Sequence, residues 1–134
     1  MILASGTTVA ILDGQALRLF RNKGHEPIID LVELPHPDIQ TGQAGSGGRH
    51  RSRASNPDLS RLDEDDYIAA VGAFLNQPSL ENKLDSIVII ADPRSLGELR
   101  RHLHPKLVAK IAGEIPKEFR RRSLADINAE LLSD

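Results

Sequence analysis

The stretch IVIIADPRSLGELR, residues 87–100, decides the fold because an apolar segment in it runs directly into a helix start. The apolar run at residues 87–91 predicts a strand that is covered on both faces of a sheet. Asp92 predicts the helix N-cap, and Pro93 the first helical position, where its missing N–H costs nothing. The helix is predicted to bury Leu96, Leu99 and Leu103. A buried strand that feeds a helix is a crossover unit of a sheet with helices packed on it.

The chain before this stretch begins with a pattern of short strands and turns. Strands are predicted at residues 7–12, 16–21 and 28–34. Asp13 and Gly14 form a strong hairpin signal between the first two strands. We therefore expect an antiparallel meander of three strands at the start of the domain.

A helix is predicted after residue 62. Asp63 is the expected cap, and the next three residues are acidic, which the positive end of the helix dipole favours in a first turn. Gln77 and Pro78 are expected to end this helix. Its acidic first turn consists of Glu64, Asp65 and Asp66. Its apolar face consists of Ile68, Val71, Phe74 and Leu75.

The chain after residue 100 predicts one more strand, within residues 109–119, and one more helix. Ser123 and Asp126 resemble a capping box at the start of that helix. Its inner face is expected to consist of Leu124, Ile127 and Leu131. The predicted order is β-β-β-α-β-α-β-α, which we interpret as a ribonuclease H-like mixed sheet of the α/β class, forming one domain over residues 1–134.

The composition is that of an ordinary globular protein, with 134 residues of which 40% are hydrophobic and 27% are charged. The absence of cysteine excludes disulfide bonds and a thiolate zinc site. No apolar run approaches the ~20 residues that span a bilayer. The N-terminus lacks the pattern of a signal peptide. We therefore expect a cytoplasmic protein without a membrane span.

The apolar pattern disappears at about residues 37–57, a segment that we call the Gly/Arg loop. Loops of this length inside a compact domain tend to be functional or disordered. Glycines let a backbone pass close to RNA, and the guanidinium fork suits phosphate. Because the net charge is −2, any such binding depends on local clusters of charge. The candidate RNA- or phosphate-binding residues are Gln43, Gly47, Gly48, Arg49, Arg51 and Arg53. The alternative is a solvated basic loop.

A metal-dependent nuclease is a second hypothesis, because such enzymes gather carboxylates from different elements around divalent ions. The acidic residues available to it are Asp13, Asp63, Glu64, Asp65, Asp66, Asp92 and Asp126. Turn formation explains Asp13 better, and helix capping explains the acidic cluster better. His102 and His104 point in different directions at i, i+2 spacing and are expected to close a helix. No catalytic residue, metal site or cofactor is predicted.

Residues 87–100 resemble the strand–helix signature of bacterial host attachment proteins. That signature has an apolar strand, Ala-Pro-Pro-Arg, an apolar pair with glycine, and Glu-Leu-Arg. The matching positions here are Asp92, Pro93, Arg94, Glu98 and Arg100. Asp92 replaces the first proline, and Ser95 stands where an aromatic residue is common. The resemblance extends over most of the chain and implies a part in attachment to host cells, which we expect to be indirect, through a cytoplasmic regulatory or interaction protein.

The host attachment family is in turn similar to the middle domain of archaeal and eukaryotic class 1 translation release factors. In those factors a Gly-Gly-Gln loop between the third strand and the first helix helps to position the water that hydrolyses peptidyl-tRNA. Gly47 and Gly48 match the two glycines, but Arg49 replaces the glutamine, and Gln43 follows a single glycine. The resemblance implies a ribosome- or RNA-associated module with the ribosome, tRNA or rRNA as partner. The altered motif predicts no peptidyl-tRNA hydrolysis.

Overall fold

The strands and helices are those of a computed structural model that describes residues 1–41 and 57–134. The strands are β1 (Thr8–Leu12), β2 (Leu17–Asn22), β3 (Leu31–Leu34), β4 (Ile87–Ala91) and β5 (Ile111–Ile115). The helices are α1 (Pro57–Leu80), α2 (Pro93–Arg100), α3 (Pro105–Val108) and α4 (Leu124–Ser133). The strands form a five-stranded sheet in the order β3-β2-β1-β4-β5. The predicted mixed α/β sheet is confirmed.

The strand directions bring several strand ends to one edge of the sheet. β1 pairs antiparallel with β2 and parallel with β4. β3 is antiparallel to β2, and β5 is parallel to β4. Consequently β1, β3, β4 and β5 all end at the same edge, which we call the carboxyl edge.

The two central strands contribute side chains to both faces of the sheet. All residues of β1 and β4 are buried, as the apolar run in β4 predicts. Ala10, Leu12 and Ile89 belong to the core beneath α1, α2 and α3. Val9 and Ile90 belong to the opposite core, which α4 covers. Each large aliphatic side chain buried in this way contributes about 1.5–3 kcal/mol to stability.

The start and end of α1 differ from the prediction. The helix begins at Pro57 rather than at an Asp63 cap, and Pro78 lies inside its last turn. Proline is favoured at a helix start, and residues 57–62 carry too little apolar periodicity to reveal a helix. Pro78 removes a single backbone hydrogen bond so close to the end that the helix continues to Leu80. The predicted face is confirmed at Ile68, Val71 and Leu75, which are buried, and at Phe74, which packs against the same core half-buried.

The starts of α2 and α4 match the prediction. Asp92 accepts a hydrogen bond from the backbone N–H of Ser95, and Pro93 is the first helical residue. Ser123 likewise accepts a hydrogen bond from the backbone N–H of Asp126. The predicted inner face of α4 is wrong at Leu124, which is exposed because it lies in the first turn, whereas Ile127 and Leu131 are fully buried.

A short helix, α3, separates α2 from β5, so the element order is β-β-β-α-β-α-α-β-α. The prediction that His104 closes α2 is wrong: its Nδ1 accepts a hydrogen bond from the backbone N–H of Lys106, and it caps α3 instead. His102 contacts Glu98 through Nε2, at 3.0 Å, one turn back along the chain. β5 is shorter than predicted, because Pro116 has no N–H with which to continue the strand.

The predicted third strand is too long at its start, because the side chain of Asn22 organises residues 23–30 as a loop. Asn22 is fully buried, and its Nδ2 donates to the carbonyl oxygens of Leu3 and Ala4. Its Oδ1 accepts hydrogen bonds from the N–H groups of Gly24 and Asp30. One side chain therefore satisfies backbone groups that a longer strand would have paired.

Replacing Asn22 by alanine should leave these buried backbone groups without their partner. We expect Asn22→Ala to lower the free energy of unfolding by about 2–3 kcal/mol. The measurement is urea-induced unfolding followed by circular dichroism. Lys23→Ala is the control, since this exposed neighbour should change the value by less than about 0.5 kcal/mol. Equal stability of the two variants would contradict the role assigned to Asn22.

Candidate functional site

A cleft of about 470 Å³ opens at the carboxyl edge of the sheet, and we call it the carboxyl-edge cleft. In open α/β sheets, ligands bind in the crevice beyond the carboxyl ends of the strands. Its walls are the β1–β2 turn, α1, the start of α2 and the connection between β5 and α4, residues 116–123. The lining residues are Asp13, Gly14, Gln15, Glu64, Asp92, Arg94, Ser95, Glu118, Arg121 and Arg122.

The β1–β2 turn is held in place by Asp13. Its Oδ1 accepts hydrogen bonds from the N–H groups of Gln15 and Ala16, at 2.8 and 2.9 Å, which confirms its predicted place in the turn. Its Oδ2 lies 2.6 Å from Nε of Arg120, in an ion pair whose two side chains are each less than one-fifth exposed. Asp13 therefore fastens the turn to the 116–123 connection.

The pKa of Asp13 reflects two opposing influences. Burial by itself raises the pKa, whereas the hydrogen bonds from Arg120 and from the backbone of Gln15 and Ala16 lower it. The hydrogen bonds prevail, so the pKa lies below its ordinary value. Tyr67 lies close by, and its burial, together with the negative charge of Asp13, raises the pKa of its hydroxyl. The carboxylate is therefore ionised and the phenol protonated at neutral pH.

Arg94, the arginine of the predicted family motif, joins α2 to α1 in one wall of the cleft. Its Nη1 lies 3.2 Å from Oε1 of Glu64, and its Nη2 lies 2.9 Å from Oδ1 of Asp65. A methyl group at Gly14 would lie 2.6 Å from Cβ of Glu64, so glycine permits close contact between the turn and α1. The prediction that Glu64 and Asp65 serve the first turn of α1 is wrong, since they lie further along the helix and pair with Arg94.

The 116–123 connection is held down by Arg18 on β2. Nη1 of Arg18 donates to the carbonyl oxygens of Arg120 and Arg122, at 3.3 and 3.0 Å. Its Nε and Nη2 bind both carboxylate oxygens of Glu33, each at 3.0 Å, and this hydrogen bonding lowers the pKa of Glu33. The guanidinium also lies 4.9 Å above the ring of Phe20. Arg18 therefore fixes the backbone on either side of Arg121.

Two arginines of the 116–123 connection face the cleft with little neutralisation. Among the described residues, the carboxylate that pairs with Arg122 is that of Asp126, whose Oδ2 is 3.8 Å from Nη1 of Arg122. The guanidinium of Arg122 lies 5.3 Å from the ring centre of Phe119. Arg121 is exposed and forms no hydrogen bond or ion pair with any residue in the ranges 1–41 and 57–134. The sequence does not place these arginines in a site, because nothing local connects them to Asp13 or Asp92.

The residues of the predicted family motif divide between the two ends of α2. Asp92 and Arg94 line the carboxyl-edge cleft, next to Pro93. Glu98 binds Arg101 and His102, and its pKa is lowered chiefly by the hydrogen bond from His102. Arg100 pairs with Glu114 on β5. The second half of the motif therefore stabilises the end of α2 and joins this helix to β5, away from the cleft.

The candidate residues of the Gly/Arg loop lie outside the described residues: Gln43, Gly47, Gly48, Arg49, Arg51 and Arg53. The described chain on either side leads to and from the carboxyl edge, because β3 ends there and the first half of α1 lines the cleft there. Nε2 of His36 lies 2.7 Å from the carbonyl oxygen of Leu17, and its ring packs near Phe74. The end of β3 and the first half of α1 therefore lie at the same edge as the cleft.

The carboxylates of the nuclease hypothesis are only partly brought together. Asp13, Glu64 and Asp92 line one cleft, but Asp13 pairs with Arg120 and Glu64 with Arg94. Asp126 lies on α4 beside Arg122. Across the described part of the chain, no group of three or more His, Cys, Asp or Glu side chains could hold a metal ion.

The fold is an α/β domain with a mixed sheet and helices on both faces. A family model, that of the bacterial archaeo-eukaryotic release factor family 12, matches residues 6–131, and the chain belongs to this family. The predicted likeness to release factors is confirmed. No curated protein matches the chain. Among the described helices, none has the length and apolar character needed to cross a membrane.

The ion pair between Asp13 and Arg120 predicts a specific dependence of stability on pH. A carboxyl group whose pKa is lowered by folding stabilises the protein above its unfolded pKa, and this stabilisation disappears as the pH falls through the folded pKa. We expect Asp13→Asn to be about 1–2 kcal/mol less stable than wild type at pH 7. The difference should begin to shrink as the pH falls below the ordinary value of 3.8 and should be lost once the pH has passed the lower pKa of the folded state.

The measurement is urea unfolding of both proteins at several pH values from 7 to about 2.5, a range that brackets the ordinary aspartate pKa. Asp85→Asn is the control, because Asp85 is an exposed aspartate that precedes β4 at the opposite edge. Its stability should stay within about 0.5 kcal/mol of wild type. A difference between Asp13→Asn and wild type that does not change with pH would refute the proposed role of the charge.

Proposed function

We propose that this protein is an RNA-binding module that associates with the ribosome in the cytoplasm and does not hydrolyse peptidyl-tRNA. The observation that carries the proposal is its membership of a release factor family over residues 6–131. Release factors act on the ribosome, so the natural partner is ribosomal RNA or tRNA.

The topology supports a finer assignment of the fold. The sheet order β3-β2-β1-β4-β5, with β1 at its centre, agrees with a ribonuclease H-like architecture. The extra helix α3 is a local addition between α2 and β5. In this architecture the Gly/Arg loop occupies the position between the third strand and the first helix, where release factors carry their functional loop.

The residues of the Gly/Arg loop supply the chemistry for contact with RNA. Arg49, Arg51 and Arg53 bring three cations within five residues. Guanidinium groups bind phosphate through two parallel hydrogen bonds, and such contacts release the counterions of the nucleic acid. Gly47 and Gly48 leave the backbone free of side chains that would keep it from an RNA strand. Gln43 adds an amide that can donate and accept hydrogen bonds.

The proposal excludes catalysis because the motif that release factors use for hydrolysis is altered. Arg49 stands in the place of the glutamine that follows two glycines. A long cationic side chain cannot reproduce the neutral donor and acceptor of an amide beside an attacking water. A part in attachment to host cells, through a cytoplasmic regulatory role, stays a prediction.

The loop arginines should control binding to ribosomes. We expect the wild type to co-sediment with ribosomes at low salt and to dissociate as the salt concentration rises. Arg49→Ala/Arg51→Ala/Arg53→Ala should bind more weakly, and the slope of log affinity against log salt should fall by roughly 2, about 0.7 for each lost phosphate contact to a single strand. Quantitative co-sedimentation at several monovalent salt concentrations measures both values.

The control variant is Arg101→Ala/Lys106→Ala/Lys110→Ala, which removes the same formal charge from the end of α2, from α3 and from the residue before β5. These residues lie near the opposite edge of the sheet, where the carbonyl oxygen of Lys110 accepts a hydrogen bond from the N–H of Ile87. The control variant should bind as wild type does. Identical, salt-insensitive behaviour of wild type and the loop variant would reject the proposal.

The altered motif also predicts the outcome of a release assay. Incubation with ribosomes that hold peptidyl-tRNA should liberate no peptide above the rate without protein, because the glutamine is missing. The variant Arg49→Gln restores the Gly-Gly-Gln sequence and serves as a test of whether that residue alone limits activity. Release by the wild type at a rate well above background would show that the protein is catalytic.

A further inference from the structure

We propose that Arg121 and Arg122 form a phosphate-binding site in the carboxyl-edge cleft, which takes a backbone phosphate of the RNA strand that the Gly/Arg loop contacts. This inference rests on the proposed function and deepens it, because it places a second contact on the rigid body of the domain. The ligand class is a phosphodiester of single-stranded RNA.

The cleft offers positive charge that is not held in a short ion pair. Arg18, Arg94 and Arg120 each have a carboxylate partner at 3.2 Å or less. In the described part of the chain, Arg122 has only Asp126 as a carboxylate partner, at 3.8 Å, and Arg121 pairs with nothing. Of the three arginines that line the cleft, Arg121 and Arg122 are thus the two whose guanidinium groups can bind a ligand without first breaking a strong ion pair.

The acidic residues of the cleft are already engaged elsewhere. Asp13 binds Arg120 and the backbone of its own turn, and Glu64 binds Arg94. Asp92 accepts the N–H of Ser95, and Glu118 accepts the N–H of Arg120 at 3.0 Å. These contacts leave the negative charges of Asp92 and Glu118 in place, but none of the four carboxylates forms an ion pair with Arg121 or Arg122.

The backbone beneath these arginines is fixed before any ligand binds. Arg18 binds the carbonyl oxygens of the residues immediately before and after Arg121. Arg120 is tied to the β1–β2 turn through Asp13, and the guanidinium of Arg122 lies over Phe119. Because this ordering precedes binding, less conformational entropy is lost when a phosphate is bound.

The position of the cleft in the sheet also favours a phosphate site. The cleft lies where the parallel strands β1 and β4 end, which is the usual ligand site of open sheets. The described flanks of the Gly/Arg loop reach the same edge, with β3 ending there and Glu64 of α1 lining the cleft. A strand of RNA held by the loop can therefore extend along the cleft without leaving the edge.

The test compares the binding of a fluorescent single-stranded RNA oligonucleotide by wild type and by Arg121→Ala/Arg122→Ala. We expect affinity to fall on the order of tenfold at 0.1 M salt, and the salt slope to fall by roughly 1.4, or 0.7 for each lost charge. Arg121→Ala alone should give about half that change in slope. This single variant keeps the contact between Arg122 and Phe119, so it controls for a folding defect in the double variant. The melting temperature of both variants should equal that of wild type.

Lys106→Ala/Lys110→Ala is the matched control, since it removes two cations near the opposite edge and should bind RNA as wild type does. Arg121→Lys/Arg122→Lys keeps the charge and should recover most of the salt slope but only part of the affinity, because lysine lacks the guanidinium fork. Unchanged RNA binding by the double alanine variant would overturn the cleft site.

The two proposals fail in distinguishable ways. If the loop variant loses RNA binding while the cleft variant does not, the proposed function stands and the cleft site falls. If wild type binds neither RNA nor ribosomes, both fall. A titration with a mononucleotide distinguishes an RNA backbone from a free nucleotide. If the cleft binds the mononucleotide with the same affinity as RNA, the ligand is a free nucleotide and the assignment to an RNA backbone is overturned.

Discussion

The parallel pairing of β1 with β4 is the constraint on which the rest of the structure depends. The two strands lie in register from Thr8 opposite Ile87 to Leu12 opposite Ala91, and all their residues are buried. Because neighbouring side chains on a strand point to opposite faces, this pair supplies both cores at once. A shift of one residue in register would exchange the side chains of the two cores, so the α1–α3 layer and the α4 layer jointly hold the strands in place.

The same pairing creates the carboxyl-edge cleft. Leu12 lies opposite Ala91, so Asp13 and Asp92, the next residues of each strand, emerge side by side. From there the chain turns back from β1 into β2, whereas β4 crosses through α2 towards β5. Connections that depart in opposite directions leave a crevice between them, which is the physical origin of ligand sites at such edges. The location of the cleft is thus a consequence of the sheet order.

Arginine serves two different purposes around this cleft. Arg18, Arg94 and Arg120 join elements that are distant along the chain, and each does so through short hydrogen bonds to carboxylates or carbonyl oxygens. Arg121 and Arg122 lie on a backbone that those contacts hold fixed, and their own charges are left largely unneutralised. A net charge of −2 therefore says little about this edge, because the paired arginines are structural and Arg121 and Arg122 keep their guanidinium groups available to a ligand.

Local patterns in the sequence determined β1, β4, the Asp13 turn and the starts of α2 and α4. Apolar runs, turn residues and N-caps act over a few neighbouring residues, so no distant partner is needed to predict them. The motif residues likewise led from the sequence alone to the release factor family. Only the tertiary structure decided which charges meet: Asp13 and Arg120 are 107 residues apart, and no local pattern selects that pair over another. It also decided the loop around Asn22, because the backbone groups of Leu3, Ala4 and Asp30 that this side chain binds are separated from it in sequence and adjacent only after folding.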